Sequence, residues 1–205
     1  ALISNGHNVV LWSSAFFHQE KRHRATKFTV IPVNKCLTIN LIPSCGYRNN
    51  ISIYRLLDHA QLAFNLLVNL KCNHLPMPDV AFVGYPPIEC AAVMLSWLRK
   101  RNIPSFVDIK DLWPIIYIDR VPALVRPIAR FLLAPYFWLA RSAIKDATAV
   151  SSMSNSFLDL FISFTQRKRS RFDCVIPLTT QKLIHTHTDE DDTKNWIRSL
   201  GVDLS

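Results

Sequence analysis

Apolar positions change their period several times along the chain, and each change marks an element. After Gly6, the run Asn8-Val9-Val10-Leu11-Trp12-Ser13-Ser14 has the length and continuity of a buried strand. The stretches Lys27–Val33 and Cys36–Ile42 alternate on either side of Asn34-Lys35, which predicts a hairpin-like pair whose Pro32-bearing member lies at an edge. The basic segment before them, from Phe17 to Arg24, has no period and reads as an exposed loop. A 3.6-residue spacing then takes over. Ile53, Leu56, Leu57, Ala60, Ala63, Phe64, Leu67 and Leu70 predict a helix from the N-cap Ser52 to about Cys72.

From there strands and helices alternate. Asp79–Gly84 reads as a strand, Tyr85-Pro86-Pro87 as its exit, and Ile88–Lys100 as a helix. Phe106–Ile109 is a core strand, followed by a helix from about Ala123 to Lys145, the strand Ala147–Ser152, a helix from near Asn155, and a last strand Cys174–Pro177. This alternation predicts an α/β fold: a Rossmann-like, mostly parallel sheet with helices on both faces. One domain is expected over 1–178. The polar stretch 179–205, with Asp189–Asp192 ahead of Trp196, Ile197 and Leu200, reads as a linker and helix leading to a further domain. His185 and His187 in it read as solvated linker positions rather than metal ligands. Ala1–Gly6 resembles the last turns of a helix, so the domain is expected to be truncated at its start, with its first strand missing.

Composition narrows the class. A chain of 205 residues, 49% of them hydrophobic, buries roughly 70% of its unfolded surface. The formal charge is +9, with clusters at Lys21-Arg22-His23-Arg24, Arg99-Lys100-Arg101 and Arg167–Arg171, so an anionic partner is admitted. No nucleic-acid module is present, and nucleic acid is not an expected partner. The five cysteines are scattered without a CxxC pair, which argues for reduced thiols in a cytosolic compartment. The charge-free run Phe131–Ala140 is too short to span a bilayer. Val121–Ala143 mixes arginines with aromatic residues. It reads as a helix buried between the sheet and a second domain, with contact to an anionic membrane surface as the competing reading.

Polar chemistry gathers where the core strand ends, in Asp108-Ile109-Lys110-Asp111-Leu112-Trp113-Pro114. The carboxyl edge of a parallel sheet is where ligands bind in open α/β folds. Asp108 and Lys110 share a strand face at period two. Asp111 makes a poor N-cap, because its N3 position falls on Pro114, which has no N–H to donate. The segment therefore reads as a loop that holds carboxylates and an indole at the sheet edge.

Several pieces in order carry a family resemblance: Asn5-Gly6-His7-Asn8-Val9-Val10, Asp79-Val80, Val107–Pro114, Ala147–Ser154 and Val175-Ile176-Pro177. Together they resemble the N-terminal, acceptor-side half of GT-B glycosyltransferases, above all the bacterial family-four enzymes that build surface polysaccharides such as capsule or O-antigen. The resemblance implies retaining transfer of a sugar from a nucleotide-sugar donor to a lipid-linked saccharide or glycan acceptor, without a metal or a tightly bound cofactor. It implies a cytoplasmic protein, peripheral at the inner face of the membrane. It makes Asp108 and Asp111 the catalytic candidates, and Lys110, Trp113, Tyr85, Ser151, Ser152 and Ser154 the acceptor-binding ones.

Two departures go with it. The glycine-rich loop that approaches the donor phosphates in the family has no counterpart among Gly6, Gly46, Gly84 and Gly201, and the C-terminal donor-binding domain is absent. The 205 residues alone are therefore expected not to catalyse transfer. A non-catalytic Rossmann-like binding module or split-gene remnant is the alternative. A nucleotide-dependent oxidoreductase ranks below both, since it leaves the Asp108–Pro114 loop unexplained.

Overall fold

The computed structural model describes residues 2–49, 52–72, 76–145 and 147–177; the linker and helix expected over 179–205, with their histidines, lie outside them. A short 3-10 turn, Ile3–Asn5, closes on Gly6, whose φ of 83° is the left-handed cap expected there. Strand β1 (Val9–Ser14) runs parallel to β5 (Leu37–Ile42), and β5 pairs antiparallel on its other side with β4 (Thr29–Asn34). The sheet order is β1-β5-β4, so the Pro32-bearing strand is an edge, as its missing N–H requires.

Two expectations for this half are corrected. Strand β1 is itself an edge, and Val10 and Leu11 are about half exposed rather than buried. The basic segment after it is not an irregular loop. Phe16–Phe17 (β2) and Arg22–His23 (β3) form a small antiparallel hairpin, with Phe16 buried against the rings of His23 and Tyr47. Two-residue strands are too short to show a period, so nothing in the sequence pattern announces them.

The second half is a four-stranded parallel sheet in the order β6 (Ala81–Tyr85), β7 (Ser105–Ile109), β8 (Ala149–Ser152) and β9 (Cys174–Val175). Alternate residues Val83, Tyr85, Val107, Ile109 and Val150 join one contiguous apolar cluster with the helices α1 (Ile53–Cys72), α2 (Ile88–Arg99), α5 (Ala134–Lys145) and α6 (Asn155–Thr165). Each such fully buried side chain contributes about 1.5–3 kcal/mol. On the opposite face Phe82 stacks on Phe106 at 5.7 Å and stays 63% exposed, so no helix among the described residues covers Phe82 on the edge strand β6.

Helix α1 starts at its predicted cap, where Ser52 Oγ accepts from Arg55 N–H at 3.3 Å, but its buried stripe is rotated. Leu62, Leu66 and Leu70 face the core, Leu57 and Phe64 face solvent, and the polar pair Asp58 and His59 is buried at 3% and 5% exposure. Hydrophobicity sets the phase of a predicted helix. A polar residue buried inside the protein is thereby assigned to the wrong side.

The helix expected from Ala123 to Lys145 is broken into a 3-10 turn (Ala123–Val125), α4 (Arg126–Leu132) and α5, with a 62° bend between the two parts. Pro135 accounts for the break, because a proline in the first turn of α5 donates no bond back into α4. A further short helix, α3 (Ile115–Asp119), follows Pro114, and Asp111 does not cap it.

Candidate functional site

Strands β7 and β8 run parallel with Asp108 level with Ser151, and side-by-side residues of a parallel pair project to one face. Ser151 Oγ accordingly donates to Asp108 Oδ1 at 2.7 Å. Two residues on, the backbone N–H of Lys110 donates to the Tyr85 carbonyl at 3.0 Å, which holds the loop against β6. Its ammonium sits 2.9 Å from Asp108 Oδ2. Asp108 and Ser151 are buried, whereas the Lys110 side chain is 43% exposed. One carboxylate oxygen thus takes a neutral donor and the other a cation that reaches solvent, which fixes the ammonium at the carboxyl edge of the sheet.

The other predicted residues are placed differently. Tyr85 is buried, with its hydroxyl donating to the Trp113 carbonyl at 2.6 Å. Trp113 is buried too. Arg55 lies 4.5 Å from its ring centroid, and the His59 ring is centred 5.4 Å away. The indole therefore forms a wall beneath the edge rather than a free stacking surface. Asp111 is half-buried and accepts from Leu112 N–H at 3.0 Å, so the two aspartates are engaged separately. Ser152 Oγ donates to the Ser154 carbonyl at 2.9 Å, and Ser154 caps α6 by accepting from Phe157 N–H at 3.3 Å. The edge gathers Asp108, Lys110 and Ser151. It leaves Ser152 and Ser154 in the turn into α6.

A second polar group, not foreseen from the sequence, lies behind Trp113. His59 Nδ1 is 3.8 Å from Glu89 Oε2, and the Tyr136 hydroxyl donates to Glu89 Oε1 at 2.6 Å. The nearby Asp58 accepts the Gly46 N–H at 2.6 Å and so ties the loop after β5 to α1. The signal available in the sequence was the pair Asp58-His59 inside an apolar helical stripe and an acid, Glu89, opening α2 directly after Pro86-Pro87.

Burial pushes the Glu89 carboxyl up, against the lowering effect of its bond from Tyr136. Burial, helped by the Arg55 charge and opposed by Asp58, pushes His59 down to about 4. These act oppositely on stability. Between its ordinary and raised values Glu89 holds its proton only in the folded state, so its contribution is lost as pH rises through that window. His59 is protonated near 6.5 when unfolded but only near 4 when folded, so the unfolded state binds the extra proton and stability falls on acidification. Between pH 7 and pH 5 the histidine removes about 2 kcal/mol. In urea titrations at both pH values, His59→Gln should lose that increment of pH dependence, whereas an unchanged slope would contradict a neutral buried His59.

Among the described residues no group of three His, Cys, Asp or Glu side chains is placed to hold a metal ion. These elements define an α/β protein whose four-stranded parallel sheet is compatible with a Rossmann-like fold. Compared with protein-family models and with curated proteins, the chain has no significant match.

Proposed function

We propose that this chain is the acceptor-side half of a retaining GT-B glycosyltransferase that moves a sugar from a nucleotide-sugar to a lipid-linked saccharide or glycan acceptor in surface-polysaccharide synthesis. The observation that carries the reading is the Asp108–Lys110–Ser151 group at the carboxyl edge of parallel strands. In it Lys110 supplies a cation, aimed by the buried Asp108, for an acceptor phosphate or hydroxyl. Asp111 is the more accessible of the two carboxylates and is the better acceptor for a sugar hydroxyl proton. Donor binding falls to a domain beyond the described residues.

The test uses the intact gene product with labelled nucleotide-sugars and a polyprenyl-diphosphate saccharide. Transfer of label into the lipid phase is expected, reduced about tenfold or more by Lys110→Met. Failure of every nucleotide-sugar, together with no binding of the acceptor, would contradict the reading.

A membrane-bound acceptor also gives a role to the bent pair α4–α5. Leu124, Phe131 and Trp138 are 90%, 80% and 68% exposed, and from Arg120 to Lys145 the chain carries five basic and no acidic residues. Aromatic rings with arginines suit an anionic lipid interface. No single helix among the described residues is long and apolar enough to cross a membrane, although the bent pair Ala123–Leu132 and Ala134–Lys145 together has that length and composition. The contact proposed is peripheral. In flotation with vesicles containing phosphatidylglycerol the protein is expected to rise with the lipid, and Leu124→Asp/Phe131→Asp to stay at the bottom. Equal sedimentation of both proteins would leave this face to a protein partner.

A further inference from the structure

The β2–β3 hairpin and the loop after β5 enclose a pocket of about 530 Å³, walled by Phe16, Lys21, His23, Gly46, Tyr47 and Arg48. Among the described residues no carboxylate lines it, while three basic side chains do. Its walls are tied down. Phe16 and Tyr47 are buried with ring centroids 5.2 Å apart, and the Lys21 ammonium sits 4.4 Å from the centre of the Tyr47 ring. The Gly46 N–H donates to the buried Asp58 at 2.6 Å, which anchors the loop to α1. A Cβ at Gly46 would fall 2.8 Å from two Phe16 ring carbons, so the approach of the two loops needs glycine there.

The rim of this pocket continues into an apolar stripe. Tyr54 lines the pocket at the start of α1, and Ile53, Leu57, Phe64 and Val68, spaced for one helix face, are exposed along that helix. A basic pocket that opens onto an apolar stripe suits a segment in which acids are followed by apolar residues. The chain carries one. Asp189-Glu190-Asp191-Asp192 is its only run of adjacent acids, and Trp196, Ile197 and Leu200 come directly after it. That segment is also within reach. Arg55 lies 5.5 Å from the Tyr47 ring and 4.5 Å from the Trp113 ring, which sets the pocket beside the loop after β7. Strand β9 is two places from β7 in the same parallel sheet, so the chain leaves it at the same carboxyl edge, about 10 Å away. The twelve residues from Pro177 to Asp189 span up to about 40 Å.

We propose that the segment 189–200 docks on its own chain, the acid run entering the pocket against Lys21, His23 and Arg48, and Trp196, Ile197 and Leu200 covering the exposed stripe of α1. The docked segment then stands beside Trp113 and shields that flank of the sheet edge. The inference goes beyond the transferase reading and does not rest on it, since docking requires no sugar transfer.

Zero-length carbodiimide crosslinking of the 205-residue chain tests it, with the monomer separated from crosslinked dimers and its linked peptides mapped. Among the lysines before residue 178, Lys21 should be the main partner of Asp189–Asp192. It should lead Lys168, which is closer to the acids along the chain, and Lys100. The yield of that link should fall about fivefold or more in about 0.5 M sodium chloride, and about threefold or more in Arg48→Gln, which keeps the reacting amine. A second measurement leaves every pocket residue in place. Asp189→Asn/Glu190→Gln/Asp191→Asn/Asp192→Asn should shift the amide resonances of Gly46 and Tyr47, and Trp196→Ala those of Leu57 and Phe64, with Val107 unmoved in both. Far-UV circular dichroism checks the fold of Arg48→Gln, and in a misfolded case the four-acid variant takes its place. Linking centred on Lys168, a Lys21 link indifferent to salt and to Arg48→Gln, links found only in dimers, or unmoved Gly46 and Tyr47 resonances would each overturn the proposal. Docking in a gene product that transfers no sugar would remove the transferase reading alone.

Discussion

Asp173→Ala lowers the unfolding free energy by about 3–5 kcal/mol, the largest loss expected from any single polar residue here. The Asp173 side chain is fully buried and its Oδ1 accepts from Arg167 Nη1 at 3.0 Å and from Val150 N–H at 2.8 Å. Its Oδ2 accepts from Ser170 N–H at 2.7 Å. The Arg167 side chain is only 5% exposed, so deleting the carboxylate strands a buried guanidinium and two backbone donors at once. This group pins the segment before β9 to β8. Urea denaturation reads the loss directly, with Glu20→Ala as the control. Glu20 pairs with Arg22 at the surface, and its removal should change stability by less than about 1 kcal/mol. A loss below about 1 kcal/mol for Asp173→Ala would mean that water reaches Arg167.

The second large effect is on function. Asp108→Ala is expected to cut acceptor binding or transfer by about a hundredfold, while costing about 2–3 kcal/mol of stability through the unpaired Ser151 hydroxyl. Asp108→Asn separates the two consequences. The amide still accepts from Ser151 Oγ, so stability falls by only about 1 kcal/mol, but the neutral group no longer fixes the Lys110 ammonium. Function should therefore be as poor in Asp108→Asn as in Asp108→Ala while the two differ in urea midpoint. If Asp108→Asn retains full function, the buried pair is a structural device only.

The parts of this molecule that the sequence made legible are those set by short-range chemistry. Pro32 at an edge, Ser52 capping α1, Gly6 closing the first turn, and Asp108 meeting Lys110 at period two all follow from groups within a few residues of one another. The parts it hid are set by distant partners. Asp58 and His59 look like surface residues until Gly46 and Glu89 are brought to them across the fold. Phe64 fits the helical stripe by hydrophobicity, yet faces solvent because the core calls for Leu62 and Leu66. Tyr85 and Trp113 carry the aromatic chemistry of this stretch, and the structure buries both beneath the edge, with the Tyr85 hydroxyl donating to the Trp113 backbone carbonyl and the indole packed against Arg55 and His59. The pocket between Lys21 and Arg48 depends on a hairpin of two-residue strands, too short to leave any period in the sequence.

The most direct measurement is photo-crosslinking with a diazirine-bearing polyprenyl-diphosphate saccharide, followed by peptide mapping. If the carboxyl edge is the acceptor site, label falls in 108–113 and in the peptide carrying Ser151, and excess unlabelled acceptor suppresses it. Label confined to the amino-terminal ends of the strands, or spread evenly and insensitive to competitor, would contradict a functional site at this edge.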